Sequence, residues 1–335
     1  MQLNSFPDSL KFSALRNRGS TLKRDLAQAY QELATGRRSN KEIIRNLSGR
    51  IGDAQLVRRD IEKIEKRETS FAIGLGRASF VQNSLDQVLS SVGTLPEDLK
   101  SAVGRDDGFQ LRTVAQLAES SLQRVTSALN VQQGRRFLYS GDATDRPAIA
   151  PAEEILDEVR TAISGLNTAA EINAAMDTFF GAGGTFETSI YNGGSGEAAQ
   201  IEITEGDNVK LEVKADEQAF RDIIRGLAIG ALVSEAGLND EESSALVADA
   251  SQKMVDGVDE VAILISETGL SEQRIVTAQT RNNAEIVVLN EAYNAMTGRD
   301  GFDAATRAQE IEVQLQTTYT ITSRLAQLTF NNYIR

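Results

Sequence analysis

Two segments at opposite ends of this chain carry apolar side chains at alternating intervals of four and three residues, and this pairing of stripes limits the fold more than any other feature. Near the start, Leu22, Leu26, Ala29 and Leu33 follow a 4-3-4 spacing, with Leu15 one heptad earlier. Leu3, Phe6 and Leu10 begin a similar stripe slightly out of phase, so a stutter or a short non-helical start is expected at Phe6-Pro7. Gly36 should close this first helix, as a glycine just past a helix end does. Near the other end, Ala304, Ala308, Ile311, Leu315, Thr318, Thr322 and Leu325 repeat at 4-3-4-3-4-3. Asp303 is the expected cap, after the breakers Gly298 and Gly301. No Gly or Pro interrupts Ala304–Arg335, which predicts a helix of about 45 Å at 1.5 Å per residue. A seam diluted by Thr318 and Thr322 cannot sustain an isolated helix, so it needs a partner, and the stripe at the other end of the chain is the candidate. Leu22, Leu26, Leu33, Ile311, Leu315 and Leu325 are the candidate seam and assembly residues. An ordinary intrachain core would use the same positions, and pairing within one copy precedes any pairing between copies.

Between the ends lie further long helical stretches. Ile51–Val92 contains only Gly52, Gly74 and Gly76 as breakers, and Gln110–Gln133 follows a loop at residues 104–108. Glu241–Ile265 and Ser271–Thr297 read as two more helices joined at Gly269. Such lengths favour an extended rod over a globule. The middle differs. Glu153–Leu166 and Ala169–Phe180 are short amphipathic helices, followed by expected strands at Phe186–Tyr191, Ala199–Thr204 and Val209–Lys214 with turns between them. Phe220, Ile223, Ile224, Leu227 and Leu232 then lie on a covering helix. The expected fold class is mainly α: an elongated antiparallel helical rod built from both chain ends, with a small α+β domain inserted at about residues 147–237.

What the chain lacks removes whole classes of chemistry. Its 335 residues include no Cys and no His, so no Ser–His–Asp triad, thiolate nucleophile or zinc site of Cys and His ligands can form. Carboxylate-only hydrolysis stays open as a reading of the 147–237 domain, although the chain has no Trp to stack on a sugar and no pair of acids stands out. Zero Cys suits a protein that crosses a narrow export path unfolded and lives outside without cross-links; a lineage sparing in Cys would give the same count. The first thirty residues hold no apolar run of signal-peptide length, and no stretch approaches the 18 apolar residues of a membrane span. Charge is uneven: residues 1–70 carry a net +6 and residues 142–266 a net −18 within a whole-chain −13. The basic residues form no run and lack interleaved aromatics, so they read as a solvated helix face rather than a nucleic-acid site. The acidic middle suits a solvent-exposed domain that stays soluble at high local density.

Several short patterns fail as sites. Gly74-Leu75-Gly76 lacks the last glycine and the preceding strand of a dinucleotide loop, and the glycines at 181–184 and 193–196 lack the Lys-Ser/Thr of a phosphate loop. Asp106-Asp107-Gly108 and Asp256–Asp259 miss calcium-loop spacing. Glu153/Glu154 and Glu241/Glu242 sit where helix N-termini favour negative charge. No catalytic, cofactor-binding or metal-binding residues are assigned, and no cofactor is expected.

One chain-wide combination is informative. Glu32-Leu33-Ala34-Thr35-Gly36-Arg37-Arg38 resembles the end of the first helix in the flagellin superfamily, and Phe302–Arg307 with Tyr319–Ile334 is similar to its terminal helix. Gly134-Arg135-Arg136-Phe137-Leu138-Tyr139-Ser140-Gly141, followed by Pro147, resembles the motif of the hook–filament junction branch, the FlgL type, rather than the pattern usual in flagellins. Tyr191–Gly196 with the segments to Phe220 is similar to the strand domain of that branch. Arg37–Arg50 departs from the superfamily, lacking the acidic pair and Pro of its loop. The resemblance implies a non-enzymatic structural subunit of the bacterial flagellum, extracellular, exported through the flagellar type III channel without a cleaved signal. Residues 1–38 with 304–335 would form a terminal helical pair lining the inner tube, 39–146 with 238–303 a helical rod domain, and 147–237 an outer domain. The implied partners are further copies of itself in a ring or helical oligomer, the adjacent hook-associated protein and flagellin, and an export chaperone on the C-terminal helix, with neither nucleic acid nor membrane insertion. Flagellin itself is the nearest alternative.

Overall fold

The computed structural model describes residues 8–47, 51–103, 108–196, 200–211 and 213–333. The expected stutter at Phe6-Pro7, most of the 104–108 loop and the start of the strand at Ala199 lie outside them, as do the side chains of residues 328–335. Ten helices and two short hairpin ladders follow one another among the described residues: α1 (Asp8–Thr35), α2 (Asn40–Leu47), α3 (Ile51–Val92), α4 (Leu95–Val103), α5 (Gly108–Leu129), β1 (Gln132–Gln133), β2 (Arg136–Phe137), α6 (Ala152–Ile163), α7 (Ala169–Phe180), β3 (Ile201–Thr204), β4 (Asp207–Val209), α8 (Gln218–Leu232), α9 (Asp240–Thr297) and α10 (Gly301–Tyr333). The fold is mainly helical, with long helices drawn from both ends of the chain and a small strand-bearing region between them.

The chain divides into two compact units, Met1–Glu65 with Asn282–Arg335, and Lys66–Arg281. In the first, α1 and α10 pair antiparallel: Lys23 meets the Tyr319 ring and Tyr30 donates to Glu312, so residue numbers rise on one helix as they fall on the other. Leu22, Ala29, Ala308 and Ile311 are buried together, with Leu26 and Leu315 packed against them. Gly36 ends α1 with φ +64°, a backbone state that costs glycine nothing. α10 starts three residues before the expected Ala304, and its cap is Asp300 rather than Asp303: Asp300 Oδ1 accepts from the backbone of Phe302 at 2.7 Å and Asp303 at 3.2 Å. The Asp nearest the glycine break wins because its carboxylate reaches two orphan N–H groups at once.

The second unit packs α4, α5, α6, α7 and α8 around one apolar core that includes Leu85, Leu99, Leu122, Ile155, Ile172, Phe220 and Met254. α8 is buried on nearly every face and approaches its neighbours through glycines. A Cβ on Gly226 would stand 2.5 Å from Ala250 O of α9, and one on Gly257 would stand 2.6 Å from Ala219 O of α8. The helices touch there backbone to backbone.

Four further expectations change. The residues Asp240–Thr297 form one helix, not two, because Gly269 sits in an unbroken run of helix formers and a single glycine costs a helix interior only about 1 kcal/mol. Phe186–Tyr191 is not a strand: Phe186–Ile190 is a π-helical turn held by Phe186 and Ile190, both buried, while Phe186 takes Phe180 at 5.3 Å and the Arg221 guanidinium on its ring. Its two apolar residues stand four positions apart, a spacing that a helical turn and a strand face both accommodate, and tertiary packing decides. The last strand stops at Val209, paired with Ile201, and α5 stops at Leu129 because Gly134 (φ +67°) reverses the chain into the β1–β2 hairpin.

Candidate assembly interface

The six expected seam residues divide between sealed and open positions. Leu22 and Ile311 are buried, Leu26, Leu315 and Leu325 are half-buried, and Leu33 is 39% exposed. The structure therefore brings Leu22, Leu26, Ile311 and Leu315 into one cluster and leaves Leu33 facing solvent. It also adds Ala29 and Ala308, whose small side chains let the helices approach. The rest of the pair is poorly covered: Leu10, Tyr30, Val313, Tyr319 and Ile321 are all exposed. An open groove of about 930 Å³ runs between the two helices, floored by Phe12, Leu15 and Tyr319 and edged by Arg16, Lys23 and Arg24.

At the other end of the pair a charged cluster closes the corner where α1 and α10 meet their neighbours. Arg38 N–H donates to Thr297 O at 2.9 Å and Arg299 N–H to Gly36 O at 2.9 Å, so the two connections run side by side as an antiparallel bridge. Above it, the Glu32 side chain, only 3% exposed, accepts from Gln28 and from Ser39 N–H through Oε1. Its Oε2 accepts no hydrogen bond but lies 3.7 Å from both Arg299 and Arg307. Both guanidiniums also donate to Glu42 on α2, Arg299 at 2.6 Å. Burial alone would raise the Glu32 carboxyl; the Gln28 amide, the Ser39 N–H and hydroxyl and the Arg307 charge together outweigh it and hold the group below the usual carboxylate value. Glu32 and Arg307 were singled out by no reading of the stripes, because a charged residue beside a seam resembles solvated surface until the fold buries it.

The Gly134–Gly141 segment is a clasp within the second unit. After the hairpin the chain buries Tyr139 completely, edge-on to Phe220 at 5.9 Å, with its hydroxyl 3.3 Å from Val81 O. Burial pushes its phenol pKa up. Tyr139 O and Ser140 O then accept from Ala215 N–H and Gly194 N–H, and Asp142 accepts from Gly196 N–H. Gly141 has φ +58°, and a Cβ there would lie 2.7 Å from Gly194 O. Asn130 completes the arrangement, donating to Ile149 O and accepting from Ile149 N–H. Among the described residues no group of three or more His, Cys, Asp or Glu is placed to hold a metal ion, and no helix is long and apolar enough to cross a membrane.

The terminal unit is thus an antiparallel pair of striped helices from the two ends of one chain, sealed at four side chains and open along its flanks. Residues 252–334 match the family described as the bacterial flagellin C-terminal helical region, which spans most of α9 and all of α10. Among solved structures, the crystal structure of Bacillus cereus FlgL aligns at 13% identity, covering 79% of this chain and 98% of that one with a TM-score of 0.37. A putative flagellar hook-associated protein from Vibrio parahaemolyticus aligns at 13% identity over 83% and 99%, with a TM-score of 0.38. No curated protein matches the chain.

Proposed function

We propose that this protein is a non-enzymatic structural subunit of the bacterial flagellum at the junction of hook and filament. The observation that carries the reading is the terminal pair itself: α1 and α10 seal four side chains between them and leave Leu10, Leu33, Val313, Tyr319 and Ile321 in water. Burying such side chains between copies is worth roughly 1.5–3 kcal/mol each, repeated at every contact of a lattice. The flagellin-type match over α9 and α10 supports the same reading, and the Gly134–Gly141 clasp, which resembles the junction branch, favours it over flagellin. In this reading residues 1–38 with 304–335 line the inner tube, 39–146 with 238–303 form the rod and 147–237 face outward. Leu22, Leu26, Leu33, Ile311, Leu315 and Leu325 carry assembly. Partners are further copies, the adjacent hook-associated protein, flagellin and an export chaperone on the C-terminal helix, with export to the cell exterior.

Deleting the gene tests it. Hooks without filaments, with free flagellin in the medium, are the expected outcome. Loss of the filament protein itself would identify a flagellin, and normal filaments would refute both.

A further inference from the structure

The apolar seam between α1 and α10 does not fix its own register. Sliding α10 by one heptad brings Leu315 to where Ala308 packs and Thr318 to where Ile311 packs, so a stripe still faces a stripe. The corner cluster tolerates no such slide. Arg307 would move about 10 Å along the helix axis, and the residue arriving in its place would be Gln314 or, in the other direction, Asp300. Neither supplies a cation to Glu32 and Glu42, and Asp300 would add a third carboxylate. Glu32, buried on α1, would then keep only Arg299 beside it.

We propose that the cluster Glu32–Glu42–Arg299–Arg307, built around the buried Glu32 carboxylate, is the register key of the terminal helix pair: it selects one antiparallel alignment of α1 on α10 from the several that the heptad seam permits. The proposal rests on the pairing of α1 with α10 and not on a flagellar role. Buried charges are costly to separate and add little net stability when satisfied, so their effect falls on the choice between alignments. The backbone bridge at Arg37 and Gly298 holds the corner with two hydrogen bonds that water can replace. Among the described residues this cluster joins α1, α2 and α10 through side chains, and a misaligned pair leaves the Glu32 carboxylate buried without the Arg307 charge.

The chain has no Cys, so each engineered pair carries the only two thiols. Tyr30→Cys with Glu312→Cys reports the observed alignment, because those side chains meet. Tyr30→Cys with Tyr319→Cys reports the slid one. Both are treated, in dilute full-length protein, with a short bis-maleimide and read as intramolecular cross-links on a gel. In the parent background only the 30/312 pair should cross-link. In Arg307→Gln the 30/312 yield should fall at least twofold and the 30/319 product should appear. Unchanged, exclusive 30/312 cross-linking in Arg307→Gln overturns the proposal. If that variant gives neither product, the conservative Arg307→Lys, which keeps the cation beside Glu32 and Glu42, decides: 30/312 cross-linking alone supports the key, and a failure to cross-link equal to that of Arg307→Gln refutes it.

Discussion

At the scale of single residues, Glu32 and the close-approach glycines carry the sharpest consequences. Glu32 is held below the usual carboxylate range in the folded protein, so its ionised form favours folding. The stability it contributes is present above its ordinary value of 4.5 and is lost as the pH falls through the lower folded value. Thermal melts followed by far-UV circular dichroism should show stability falling as the pH drops below the ordinary value of 4.5, and Glu32→Gln should flatten that fall while lowering stability at neutral pH. A pH profile identical in the two proteins would contradict the assignment. Gly257 makes a steric prediction of a different kind. Gly257→Ala places a methyl 2.6 Å from Ala219 O, where backbone cannot yield as a side chain would. Urea unfolding should report a loss of about 1–3 kcal/mol, the usual cost of overpacking, whereas Gly269→Ala, whose methyl would meet the Gln82 amide at an unstrained 3.8 Å, should be neutral or stabilising.

Among the elements, α7 shows how much local sequence can decide. Thr168 Oγ1 accepts from Glu171 N–H at 3.3 Å, and Glu171 returns a carboxylate to Asn167 N–H at 3.2 Å, a capping box that fixes the start of the helix. Thr168→Ala should cost about 1 kcal/mol in urea unfolding. Elements of this sort were legible before any coordinates: α3 runs over Ile51–Val92 and α7 over Ala169–Phe180, as the spacing and breakers predict. The terminal stripes were equally readable, since a heptad repeat states both the helix and the face it must cover. What the sequence left hidden shares one cause. The π-helical turn at Phe186, the early stop of β4 and the continuity of α9 through Gly269 are settled by tertiary packing and not by local preference. The same holds for the candidate site. Leu22 and Ile311 could be read from their period, while Leu33, in phase with them, stays exposed, and Glu32, beside it, is buried. Periodicity gives the angle of a side chain about its helix; it does not say how far the partner helix extends, nor which charges a corner encloses.

On the scale of the whole molecule, the thin seam and uncovered flanks of the α1–α10 pair set its dynamics. In dilute monomer the amides of residues 8–33 and 304–327 should exchange with solvent much faster than those of α5 and α8, which lie in the large core, and they should become protected on assembly or on chaperone binding. Hydrogen exchange followed by mass spectrometry checks this; slow exchange of the terminal helices in dilute monomer would count against an assembly role. Of the net charge of −18 over residues 142–266, a net −11 lies within residues 147–237, the segment that the proposed arrangement faces outward, where it would keep crowded copies soluble. A last consequence follows from the paired connections at the corner. Because Gly36 and Arg299 are hydrogen-bonded neighbours, as are Arg38 and Thr297, the chain leaves and re-enters the terminal pair through a single doorway. Residues 8–35 and 301–333 thus form a detachable cassette: both could be excised together, the cut ends at residues 38 and 297 would lie within reach of a very short splice, and another protein's helical pair could be fitted at the same two points.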